Sequence, residues 1–104
     1  MTTKRMAPAT CDTMTEVRCS VDDLDREIVR LLAERFRYVD AAARIKPQRE
    51  AVRDEARKAE VLRNVATHAR AEGVPEAAIA KLYDRLIEAS IAYEFDRFDA
   101  LHVG

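Results

Sequence analysis

Along the first half of the chain, Val17, Val21, Leu24, Ile28, Leu31, Arg35, Tyr38, Ala42 and Ile45 recur at alternating gaps of four and three. This is heptad spacing, the mark of a helix with one apolar seam, and it predicts a helix from about residue 15 to about residue 45. Thr13-Met14-Thr15-Glu16 matches a capping box, in which a hydroxyl and a carboxylate each satisfy a backbone N–H left unpaired at a helix start. At 1.5 Å per residue the helix is about 45 Å long. Lys46-Pro47 ends it, because the residue before a proline is pushed away from helical geometry.

After a polar loop over 47–53, a second helix fits Asp54 to Glu72, with Val61, Leu62, Val65, Ala66 and Ala69 as its apolar face and Gly73 as its stop. Pro75 suits the first turn of a third helix, where its missing N–H has no partner to lose. That helix runs to about Leu101 with Ile79, Leu82, Tyr83, Leu86, Ile87, Ile91, Phe95 and Phe98 on its buried stripe. Met1 to Asp12 has no periodicity and reads as a flexible tail, which leaves 13–104 as one all-α domain of three helices. The two shorter helices cannot cover the first within a monomer. A chain of 104 residues buries a modest fraction of its surface, so a core shared between subunits is favoured on size as well.

Composition agrees with helices: two glycines and three prolines supply too little punctuation for a β-rich fold. The net charge of -1 conceals fourteen arginines against four lysines, a bias towards the side chain whose planar fork grips carboxylates and phosphates. Arg44, Lys46, Arg49, Arg53, Arg57 and Lys58 crowd one stretch, which reads as a solvated face or as an anion site. No aromatic residue interleaves them and the chain is slightly acidic, so a small polyanion fits better than nucleic acid. Cys11 and Cys19 lack metal-ligand spacing and read as reduced thiols. Neither a signal-peptide stretch nor a membrane span is apparent, and a cytoplasmic protein without membrane contact is expected.

Arg35 stands on the seam where an aliphatic residue is called for. Removing a guanidinium from water is costly unless it is paired, so it is either a structural ion pair or a cation awaiting an anionic ligand. Ser90 and Glu94 lie one turn apart beside Ile87, Ile91 and Phe98, and both should face the interior. An apolar setting favours a neutral acid at Glu94, able to donate a hydrogen bond; the alternative is a simple pairing with Arg35. His68 has no triad partner and reads as a surface residue. There is no phosphate loop, metal motif or nucleophile elbow, so chemistry without a metal, a cofactor or a covalent intermediate is expected.

A seam arginine on a long first helix, a lysine at its end, Val52-Arg53-Asp54-x-x-Arg57 entering helix two and a late Ser90-x-x-x-Glu94 together resemble the all-α bacterial chorismate mutases over residues 15–101. Within that group, Tyr38-Val39-Asp40-Ala41-Ala42-Ala43-Arg44-Ile45-Lys46 is most similar to the isochorismate pyruvate-lyase branch, which makes salicylate for siderophores. The resemblance implies an intertwined homodimer with shared sites and a chorismate- or isochorismate-type dicarboxylate as substrate. It implies that Arg18 reaches into the partner's pocket, that Arg35 and Arg57 bind the substrate carboxylates, and that Lys46 and Glu94 flank the ether oxygen whose bond breaks. Asp54 and Ser90 match positions lining the mutase pocket. Many relatives carry glutamine in place of Glu94, and mutases commonly place a glutamate, which accepts the ring hydroxyl, where Lys58 stands; the second departure leaves the lyase reading open.

Two other classes compete. A non-catalytic helical dimer would use Arg35 as a locked ion pair, and a nucleic-acid binder would use the stretch from Arg44 to Lys58 and show salt-sensitive retention on heparin. If Arg35 is only structural, Arg35→Met leaves the melting temperature unchanged or raised, and chorismate does not shift it. If Arg35 binds substrate, chorismate raises the melting temperature of the parent protein and not that of Arg35→Met, a difference that thermal melts read directly.

Overall fold

The structure, a computed structural model, describes residues 5–103. Among them the regular elements are all helical: α1 Met14–Ile45, α2 Glu55–Glu72 and α3 Glu76–Leu101, with single 3-10 turns at Pro8–Thr10 and Arg49–Ala51. The three-helix, all-α expectation therefore holds. No helix among the described residues is long and apolar enough to cross a membrane. Two compact units divide the chain, one within Met1–Arg37 and one within Tyr38–Gly104, and α1 begins in the first and ends in the second.

In the first unit the capping box forms as read. The Thr13 hydroxyl accepts from Glu16 N–H at 3.1 Å, and Glu16 Oε1 accepts from the N–H groups of Thr13 and Asp12 at 3.0 and 2.9 Å. These bonds hold the Glu16 carboxyl below its ordinary range, the Asp12 N–H contributing most. The segment read as a tail has Met1 to Lys4 outside the described residues. Its remainder runs along α1: Arg5 meets Asp23 at 3.3 Å and Glu27 at 2.5 Å, and Met6 N–H donates to Ser20 Oγ at 3.3 Å. Seam residues Val21, Leu24, Ile28 and Leu31 stay 42–50% exposed in the single chain. Cys11 and Cys19 are free thiols.

The second unit is built on the α2–α3 hairpin. Asp54 caps α2 from extended backbone, its Oδ1 accepting from Arg57 N–H at 3.0 Å, so the helix starts one residue later than the apolar pattern gives. Gly73 ends it in the left-handed region (φ 72°), where Gly73 N–H reaches Arg70 O and Val74 N–H reaches Ala69 O. Pro75 stands just before α3 and not in its first turn, its carbonyl accepting from Ile79 N–H at 3.2 Å.

Apolar packing gathers Ala43 from the end of α1, Val52 from the loop and Ile87, Ile91 and Phe98 from α3, with Val61, Leu62 and Phe95 against them. The α3 stripe is corrected at one position. Leu82 is 66% exposed, because at 100° per residue it points about 120° away from the line of Tyr83, Ile87, Ser90 and Glu94.

Charged clasps close the hairpin, so the basic stretch after α1 is more than a solvated face. Arg49 meets Asp99 at 2.9 Å and lies 4.5 Å over the Phe95 ring. Arg53 donates to both oxygens of Glu88 at 2.7 and 3.2 Å, and Lys58 sits 2.7 Å from Glu88 and 3.0 Å from Asp84. The Arg53 hydrogen bonds, with Lys58 next, pull the Glu88 carboxyl down from 4.5 to about 2. A carboxyl depressed on folding stabilises the fold above its unfolded value and ceases to do so as pH falls through its folded value. Glu88→Gln should therefore lower the melting temperature at pH 7, with the deficit shrinking from about pH 4.5 towards pH 2; thermal melts over that range check it, and a deficit independent of pH would contradict it.

Candidate active site

Helix α1 stops at Ile45, and Lys46 N–H still bonds Ala42 O at 2.9 Å, so the Lys46 side chain leaves from the helix end while its backbone remains part of the last turn. From there its ammonium turns inward. Nζ lies 2.7 Å from Glu94 Oε2 and 3.5 Å from the carbonyl of Val52. The lysine side chain is 28% exposed and that of Glu94 9%.

Glu94 faces inward because it shares the stripe of Ile87, Ser90, Ile91 and Phe98, all buried on α3. Its Oε2 is buried and accepts no hydrogen bond of ordinary angle among the described residues. The contact with Lys46 is a close pairing of opposite charges at 2.7 Å. Taking two charges out of water costs several kcal/mol per ion in typical proteins, and good hydrogen-bond geometry is what usually offsets it. An ammonium has three N–H donors, so one bound to Glu94 retains others for a further polar group.

Ser90, one turn before Glu94, is buried and donates its hydroxyl to Leu86 O at 2.7 Å. Arg57 stands in the first turn of α2, 62% exposed, with Nη1 2.5 Å from Glu60. Asp54 uses Oδ1 as the helix cap. Thus Lys46 and Glu94 meet directly and Ser90 sits beside them on α3, whereas Arg57 and Asp54 are engaged at the start of α2. Arg18 and Arg35 belong to the first unit, where Arg18 is exposed and Arg35 half-buried. His68 is exposed, as read.

Other polar residues that the pattern did not single out surround the end of α1. Asp40 accepts from the Tyr93 hydroxyl at 2.8 Å and from Arg97 Nε at 3.0 Å. The bond to Asp40, with burial next, raises the Tyr93 phenol above its ordinary range, so it stays a donor. His102 Nε2 lies 3.0 Å from Ala43 O, and its ring stacks on Phe98 at 3.9 Å. The four-residue spacing of Tyr93 and Arg97 was a usable signal for a shared partner. Nothing local marked Asp40 or His102.

A cation and a buried carboxyl that share an apolar wall suit a polar ligand atom flanked by two hydrogen-bonding groups. The family model described as chorismate mutase type II matches residues 17–95, which span Lys46, the hairpin and Glu94. Among curated proteins, no relative matches the chain. Among the described residues, no three His, Cys, Asp or Glu side chains gather as a metal ion would require.

Removing one partner of a buried pair strands the other, whereas neutralising the carboxyl in place does not. Lys46→Ala should therefore destabilise the fold more than Glu94→Gln, and the double variant should recover part of the Lys46→Ala loss. Additive losses in denaturant titrations would show that the two side chains are not coupled.

Proposed function

The chain belongs to the chorismate mutase type II family, and from that premise we propose that it rearranges chorismate to prephenate, with Lys46 and Glu94 acting at the ether bond. The observation that carries this reading is the inward-facing Lys46–Glu94 pair, 2.7 Å apart and set against the apolar core. In this rearrangement one bond breaks as another forms, so no nucleophile is needed. The protein has to hold a flexible dianion in its compact reactive shape and stabilise negative charge growing on the ether oxygen.

Lys46 supplies a fixed positive donor to that oxygen. Glu94 supplies the second hydrogen-bonding group beside that oxygen, at the position that glutamine takes in many relatives. Arg35 and Arg57 take the substrate carboxylates, for which Arg57 exchanges Glu60 for the ligand, and Asp54 and Ser90 line the pocket. Arg18 comes from the partner subunit of a homodimer. The dimer is supported by the half-exposed seam of Val21, Leu24, Ile28 and Leu31 on a helix about 48 Å long, an apolar surface that a second copy of the same helix can cover.

A second reading is isochorismate pyruvate lyase, giving salicylate and pyruvate. It is favoured by Lys58, whose ammonium is committed to Glu88 and Asp84 at the position where mutases commonly offer a carboxylate to the ring hydroxyl. The same pocket performs either reaction, since both are concerted reactions of a dianionic ring ether.

Incubation with each substrate separately, reading prephenate in one case and salicylate plus pyruvate in the other, decides between them; no product from either removes both. In the Glu94→Gln background, Lys46→Ala should lower kcat by about 10²–10³-fold, the usual effect of losing a transition-state donor, with little further loss of Tm. Glu94→Gln alone should keep or raise turnover at neutral pH, because an amide N–H donates without protonation. Ile28→Glu should convert a dimer to a monomer in sedimentation and abolish turnover with it.

A further inference from the structure

The last carbonyls of a helix have no donor within the helix, and when buried they need one from elsewhere. At the end of α1, Ala42 O receives Lys46 N–H. Ala43 O, the next in line, receives Nε2 of His102 at 3.0 Å, 59 residues further along the chain. Ala43 is fully buried, so water is poorly placed to replace that donor. A carbonyl only accepts, so the bond requires hydrogen on Nε2. The imidazole is aimed by stacking on Phe98, with ring centroids 3.9 Å apart and planes within 13°, and Phe98 is itself part of the core. Lys46 follows Ala43 by three residues, less than one helical turn.

We propose that His102 is a positioning residue for the reaction: its Nε2–H clamps the last turn of α1 at Ala43 and thereby keeps the Lys46 ammonium at Glu94. The clamp acts alongside the Asp40 contacts with Tyr93 and Arg97 and the Arg49 contact with Asp99, which tie the chain to α3 before and after Lys46. Those three contacts join side chain to side chain, whereas the bond from the exposed His102 ends on a fully buried backbone acceptor in the turn that carries Lys46. Misplacing a catalytic group by a fraction of an ångström reduces turnover more than it reduces binding.

The assignment rests on Lys46 being the catalytic cation, and its test has a readout free of that premise. His102→Phe keeps the stack on Phe98 and removes the donor; His102→Gln restores an N–H of similar reach. In His102→Phe, kcat should fall about tenfold with KM within about twofold, and hydrogen exchange at the Lys46 amide, bonded to Ala42 O, should accelerate by a similar factor. His102→Gln should recover most of both. Unchanged exchange in a folded His102→Phe overturns the clamp, and faster exchange with unchanged kcat overturns its role in positioning. A parent protein that converts neither chorismate nor isochorismate defeats the functional reading instead, and exchange at Lys46 still decides whether the clamp exists.

Discussion

A carboxylate held inside a small helical unit against a lysine is the constraint around which the second unit is organised. Glu94 is buried on α3, so the ammonium of Lys46 at 2.7 Å is what makes its position tolerable. Bringing that ammonium to α3 requires α1 to end at Ile45, which Pro47 enforces, and requires the following loop to return over the core through Val52. The loop then delivers Asp54 as the cap of α2, so the turn that frees Lys46 also starts the next helix.

Charge is distributed unevenly over the fold. On the hairpin, arginines and lysines are matched to acids across helices, Arg53 and Lys58 to Glu88 and Asp84, Arg49 to Asp99, and Arg97 to Asp40. In the first unit, by contrast, the salt bridges of Arg5, Arg26 and Arg30 go to Asp23 and Glu27 while the apolar seam stays open.

Helix boundaries and the interior placement of Glu94 and Ser90 were readable in the chain because their determinants are local. Capping residues, a glycine in a left-handed turn, a proline stop and a 3.6-residue period act within a few residues of where they stand. The same locality explains the errors. Leu82 was assigned to the buried stripe because it is apolar and close to the period, although its angle turns it outward. Asp54 was counted as helix when its side chain is the cap that precedes one. The basic stretch read as a solvated face or an anion site because the acidic partners of Arg49, Arg53 and Lys58 on α3 lie 30 to 50 residues away.

By itself, then, the sequence determined which segments are helical, where they stop and which polar residues face inward, since backbone geometry and amphipathic periodicity are set by near neighbours. Only the tertiary structure decided that Glu94 pairs with Lys46 and not with an arginine, that Arg57 is turned to Glu60, and that Asp40 and His102 hold the end of α1. Apart from Arg57 and Glu60, which are neighbours on α2, those are contacts between segments far apart in the chain. They depend on the register of one helix against another, which packing of the core sets and no short stretch of residues encodes.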